Sequence, residues 1–201
     1  MTVRAVVFDI GGVLEITPRL GMGAKWEETL GLQPGELSSR APSVWKGGSL
    51  GTVSEAEVRQ SIGEIFGLAG PVVDAFMGDL WKEYLGTLNA ELADYFRCLR
   101  PRYQTAMLSN SFVGARSREQ ELYHFNEMAD FIIYSHEVGM AKPERRIYEL
   151  TCHRLDVQPE EMIFLDDSEL CVDGARDLGI QAILFVSNGQ AIADIEACMR
   201  A

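Results

Sequence analysis

The chain has 201 residues, 47% hydrophobic and 24% charged, with a formal net charge of -12. That is enough apolar material for one full core, or for one domain carrying a sizeable insertion. The acidic balance, with no basic stretch to offset it, argues against a nucleic-acid backbone or an anionic membrane as partner, since both need clustered Lys and Arg. Cys98, Cys152, Cys171 and Cys198 are far apart and lack metal-ligand spacing, so free thiols in a reducing compartment are expected. The N-terminus has no apolar signal segment and no run approaches the length of a membrane span, which makes the cytoplasm the expected location.

The first predicted element is a strand, Val3 to Phe8, that stops at Asp9 and runs into Ile10-Gly11-Gly12-Val13-Leu14. A β-branched run ending at a carboxylate and two glycines presents a charged group at a strand's carboxyl end, where the backbone can turn sharply. From about Thr17 to Thr87 the signals are helical. Ser54 and Glu57 form a capping box ahead of Val58, Ile62, Ile65 and Phe66, and Val72, Phe76, Leu80 and Tyr84 make a stripe at intervals of four.

Helix and strand alternate from Asn89 onward. Asn89 is the expected N-cap of a helix carrying Leu92, Phe96 and Leu99 on one face, with Pro101 as a stop. Strand-like "YQTAMLS", "DFIIYS", "MIFLDD" and "GIQAILFV" follow, separated by helical stretches. The fold class predicted is α/β, a Rossmann-like parallel sheet with helices on both faces and an inserted helical unit. Residues 1–16 and 88–201 form the expected core and residues 17–87 the insertion.

In such sheets ligands sit beyond the carboxyl ends of the strands. Asp9 ends the first strand, Ser109 and Asn110 end "TAML", Asp166 and Asp167 end "MIFL", and Lys142 stands just before Pro143 and a helix. Each has an ordinary reading alone: a strand-end Asp caps helices, Ser-Asn makes turns, and a lone Lys is solvated. Together they deliver carboxylates, a hydroxyl, an amide and an ammonium to one sheet edge.

In this order and spacing, "VVFDIGGVL", "TAMLSNS", "GMAKPERRIYEL" and "MIFLDDSELCVDGARDLGI" resemble the four signature motifs of the haloacid dehalogenase-like hydrolase superfamily. The resemblance covers nearly the whole chain and implies a helical cap between the first two motifs, Mg²⁺ as cofactor, and a covalent aspartyl intermediate, most often in hydrolysis of a small phosphorylated metabolite. Carried onto this sequence, it makes Asp9 the nucleophile and gives the metal one oxygen of Asp9, the Gly11 carbonyl, Asp167, and Asp166 directly or through water. Lys142 then offsets the charge of Asp9 and phosphate, and Ser109 and the backbone around Asn110 and Gly12 bind phosphate oxygens. A carboxylate nucleophile approaching an anionic phosphoryl group needs such cations and donors.

One position departs from the family pattern. Most phosphatases of this superfamily carry a second aspartate two residues after the nucleophile, as general acid and base, and here that residue is Gly11. Three readings follow. One is a phosphatase for a good leaving group or with an acid borrowed from cap or substrate; another is a C–X bond hydrolase, whose halide leaves without a proton, although Asp166 and Asp167 weigh against it. The third is a binding or regulatory protein that keeps the fold without turnover.

Overall fold

The computed structural model describes residues 2–200. Its strands are β1 (Ala5–Phe8), β2 (Glu15–Ile16), β3 (Thr87–Leu88), β4 (Gln104–Ser109), β5 (Phe131–Tyr134), β6 (Met162–Asp166) and β7 (Gln181–Leu184). Five of them form one sheet in the order β5-β4-β1-β6-β7, and every neighbouring pair is parallel. Phe8 is in register with Met107 on one side and Leu165 on the other.

The continuous apolar runs of the central strands are what a sheet buried on both faces requires. Alternate residues supply two cores, as the period of two dictates. Val6, Phe8, Met107, Ile163 and Leu165 pack with Leu92, Phe96, Ala191 and Ile195. Ala5, Val7, Ala106, Leu108 and Phe164 pack with Ile147, Tyr148, Val172 and Ala175. Successive connections run outward from β1 to β4 and β5, then return to β6 and β7 on the other side. The switch in direction falls at the carboxyl end of β1, between β4 and β6, which is where such a sheet opens a crevice.

The five helices between Met22 and Tyr84 gather Trp26, Leu37, Val58, Ile62, Phe76 and Trp81 into a third cluster. Phe112 and Val113, just after β4, enter the same cluster. Val113 N–H donates to the Gly48 carbonyl at 3.0 Å, and a Cβ on Gly48 would lie 2.2 Å from the Phe112 ring. The two short strands β2 and β3 pair antiparallel where the chain enters and leaves this helical unit.

Two local expectations are corrected. The helix Gly70–Tyr84 buries Val73, Phe76, Met77 and Trp81, while Val72 is exposed; a strict interval of four drifts off the face that a 3.6-residue repeat keeps. The Ser54–Glu57 capping box is present, but Asn89 caps nothing with its side chain. Its amide donates to the Val13 carbonyl at 3.0 Å and to Asn188 at 2.7 Å, tying the strand exit to the last helix.

Candidate active site

β1, β4 and β6 end at the switch point, and each delivers polar groups there. Lys142 Nζ is 2.7 Å from Asp9 Oδ1 and 2.6 Å from Asp166 Oδ2, and all three residues are buried. The second Asp166 oxygen accepts from the Ser168 N–H at 2.8 Å. Asp166 therefore holds the lysine with one oxygen and the turn behind it with the other. Asp167, next in the chain, is exposed.

Asn110 does something its sequence position did not reveal. Its side chain donates to the Lys142 carbonyl at 2.8 Å and accepts from the Lys142 N–H at 2.8 Å. This paired clamp fixes the backbone of the lysine from the end of β4. Ser109 beside it is buried. Asp9, Lys142, Asp166 and Asp167 are thus brought into one cluster, with Ser109, Asn110 and the two glycines around it.

Electrostatics constrain what the cluster can bind. Burial pushes the Asp9 carboxyl up to about 7, against the pull of the Lys142 ammonium, and the charge of Asp166 adds to the rise. Burial alone would lower the Lys142 pKa, but Asp9 and Asp166 more than reverse this and raise it. Burial and Asp166 also raise Asp167. Three carboxylates share one ammonium, which leaves an excess of negative charge in a low-dielectric place. One oxygen from each of Asp9, Asp166 and Asp167 lies within 4.8 Å of the others. An all-oxygen set with surplus negative charge is the donor set of a hard divalent cation.

The lysine is integral to the fold as well. Lys142→Ala would leave two buried carboxylates unpaired, a change that costs about 3 kcal/mol or more. At about 2–4 °C per kcal/mol for a chain of this size, the melting temperature should fall by roughly 6–12 °C in a calorimetric scan.

Gly12 has φ +76, and a Cβ there would lie 2.1 Å from Asp167 Oδ2. Gly12→Ala should therefore displace the Asp167 carboxylate and weaken divalent-cation binding at least about tenfold in a calorimetric titration. The left-handed backbone adds a stability loss of about 1–3 kcal/mol.

Two cavities open beside the cluster. One, of about 300 Å³, lies between the helical unit and the sheet and is lined by Trp45, Leu80, Tyr84, Phe112, Asn110 and Ser111. The other, of about 200 Å³, is lined by Gly11, Ser109, Asn110, Tyr84, Glu15 and Glu119. Glu15 and Glu119 did not emerge from the sequence. His124, His136 and His153 do not enter the cluster; His136 Nδ1 is 2.6 Å from the Ser111 hydroxyl. Lys25 is engaged by Asp79 at 2.5 Å.

A model of the haloacid dehalogenase-like hydrolases matches residues 3–179. The chain belongs to the haloacid dehalogenase-like hydrolase family. Among curated relatives, bifunctional epoxide hydrolase 2 of Sus scrofa is 29% identical over 98% of this chain, which spans only 39% of that protein. Phosphatase MT3486 of Mycobacterium tuberculosis is 29% identical over 94% of this chain and 90% of its own length. Among solved structures, a HAD-like family hydrolase from Porphyromonas gingivalis superposes with a TM-score of 0.82 at 25% identity, covering 100% of both chains. The magnesium complex of HAD-family enzyme bt-2542 from Bacteroides thetaiotaomicron gives 0.81 at 22% identity, over 94% of this chain and 96% of that one. Among the described residues no helix is long and apolar enough to cross a membrane.

Proposed function

We propose that this hydrolase is a Mg²⁺-dependent phosphatase of a small phosphorylated metabolite, with residues 17–87 as a cap over a core of residues 1–16 and 88–201. The observation that carries the reading is the buried Asp9–Lys142–Asp166 triad with Asp167 beside it, set at the switch point next to Ser109. The named phosphatase relative, which matches along nearly its whole length, supports it. So does the phosphorylated carbohydrates phosphatase of Thermotoga maritima, 27% identical over 96% of this chain.

In this reading Asp9, held in place by Lys142, attacks phosphorus as the P–O bond to the alcohol breaks; the leaving oxygen departs as an anion and is protonated by water, and a second water then cleaves the aspartyl phosphate to inorganic phosphate and free Asp9. Asp9, Asp167 and the Gly11 carbonyl, with Asp166 directly or through water, would hold Mg²⁺, which would supply charge neutralisation. Lys142 remains protonated and offsets the charge on both carboxylate and phosphoryl oxygens, while Ser109 and the Asn110 backbone donate to the phosphoryl oxygens; the expected donation from Gly12 is corrected, because its N–H is taken by the Glu15 carbonyl at 2.8 Å. Asn110 acts chiefly through the lysine backbone that it clamps. Phosphate release from a panel of phosphomonoesters, with Mg²⁺ and with a chelator, tests the reading; release indifferent to the chelator overturns the metal assignment. The half-length likeness to (S)-2-haloacid dehalogenase 1 of a Pseudomonas species, together with Gly11, supports a C–X hydrolase as the second reading. Halide release from a 2-haloacid without metal would favour it.

A further inference from the structure

The 300 Å³ cavity between the helical unit and the sheet is walled by Trp45, Leu80, Tyr84 and Phe112, and among the described residues no charged side chain lines it. The Trp45 and Phe112 rings stand tilted, with 6.3 Å between centroids. Trp45 Nε1 is itself buried, so the indole surface that Trp45 presents is carbon. The polar groups of the lining are largely turned to one another. The Asn110 side chain is spent on the Lys142 backbone, and the Ser111 hydroxyl is 2.6 Å from His136 Nδ1. Ser111 N–H donates to the Ser135 hydroxyl at 2.8 Å, and that hydroxyl donates to the Ser49 carbonyl at 2.8 Å. A sugar, which needs a partner for each hydroxyl it desolvates, is poorly served by such a wall; an apolar group is well served.

We propose that this cavity receives the organic part of the substrate, and that this part is an uncharged apolar ring of about phenyl size. The inference rests on the phosphatase reading and deepens it by naming the substrate class. Position supports it, because Asn110 and Tyr84 line both this cavity and the 200 Å³ one at Gly11 and Ser109. An ester whose phosphoryl group sits at Ser109 therefore directs its alcohol past Asn110 and into the apolar space. The chain makes the same passage, from Ser109 at the end of β4 to Phe112 in the cavity wall. Size agrees as well: an apolar cavity of about 150 Å³ holds benzene, so this one takes a ring together with its linking atoms. With no cation in the wall, a second anionic group on the substrate would be desolvated unpaired.

The test compares kcat/KM for benzyl phosphate, propyl phosphate, 4-carboxybenzyl phosphate and glucose 6-phosphate. Benzyl and propyl alcohols are both alkyl alcohols, so the absence of an acid at residue 11 burdens both and their difference reports the pocket. The wild type should prefer benzyl to propyl phosphate at least about tenfold, since a single methylene in a hydrophobic pocket already brings about that much. It should disfavour 4-carboxybenzyl phosphate at least about tenfold against benzyl phosphate, because the added carboxylate finds no partner. Trp45→Ala, shown to be folded by its melting transition, should cut the benzyl-to-propyl ratio at least about fivefold, whereas Trp45→Phe should keep most of it. Equal kcat/KM for benzyl and propyl phosphates in the wild type, or a preference for 4-carboxybenzyl phosphate or glucose 6-phosphate, overturns the proposal whether or not the variants fold. An unchanged ratio in a folded Trp45→Ala overturns it too. If none of the four releases phosphate, the phosphatase reading fails instead. Calorimetric binding of benzyl and propyl phosphates to the wild type then decides the pocket alone, equal affinities overturning it.

Discussion

Asp9→Asn should leave a folded protein that releases phosphate about 10⁴-fold more slowly or worse, the scale of loss when a covalent nucleophile is removed. The amide is nearly isosteric with the carboxylate, so the packing at the end of β1 survives, but its oxygen is a poor nucleophile. The hydrogen bonds around it show what else changes. Asp9 Oδ1 accepts from the Ile10 N–H at 2.7 Å and faces Lys142; the amide oxygen can keep both contacts, while one negative charge leaves the cluster. Cation affinity should therefore fall as well. Asp167→Asn separates the two effects, because it also removes a carboxylate from the cation's donor set but leaves the nucleophile. It should raise the Mg²⁺ concentration needed for half-maximal rate while retaining turnover at saturation. Full activity in Asp9→Asn would exclude attack by this carboxylate.

The sequence made this cluster legible because its members sit where apolar runs stop. Asp9, Ser109 and Asp166 each follow a buried strand, and a parallel sheet brings such ends together without any knowledge of side-chain geometry. What it did not reveal are groups whose burial depends on partners far away in the chain. "ARSREQELY", the helix Ala115–Tyr123, reads as a solvated surface, yet Glu119 is buried under Tyr134 of the edge strand. Glu15 is likewise hidden by the return of the chain at Gly86, 71 residues on. At Asn110 the sequence suggested a backbone donor to phosphate, and it did not reveal that the side chain clamps the Lys142 backbone. Asn89 looked like a cap because a helix follows it, but its amide found tertiary partners. Local propensity is a prior that such contacts override.

Gly11→Asp should raise turnover of alkyl phosphates more than that of aryl phosphates, by up to about the 10²–10⁴-fold typical of general acid–base catalysis. With no proton donor at residue 11, the barrier depends on how well the leaving oxygen carries negative charge, so poor leaving groups gain most from a restored acid. The backbone permits the change. Gly11 is absent from the positive-φ glycines, and a Cβ built on it meets nothing within 4 Å, unlike its neighbour Gly12. The new side chain would enter the 200 Å³ cavity it already lines, beside Glu15 and Glu119. A fourth carboxyl close to Asp9, Asp166 and Asp167 is useful as an acid only while protonated, and the neighbouring negative charges favour that form. The gain should therefore shrink as pH rises through the pKa of the introduced acid. Melting temperatures with and without Mg²⁺ establish first that the variant is folded and binds metal. The wild type then supplies the discriminating measurement, the slope of log kcat against leaving-group pKa under conditions where chemistry limits the rate. A steep slope that flattens in Gly11→Asp supports a missing acid. A flat slope in the wild type means that the proton already comes from elsewhere.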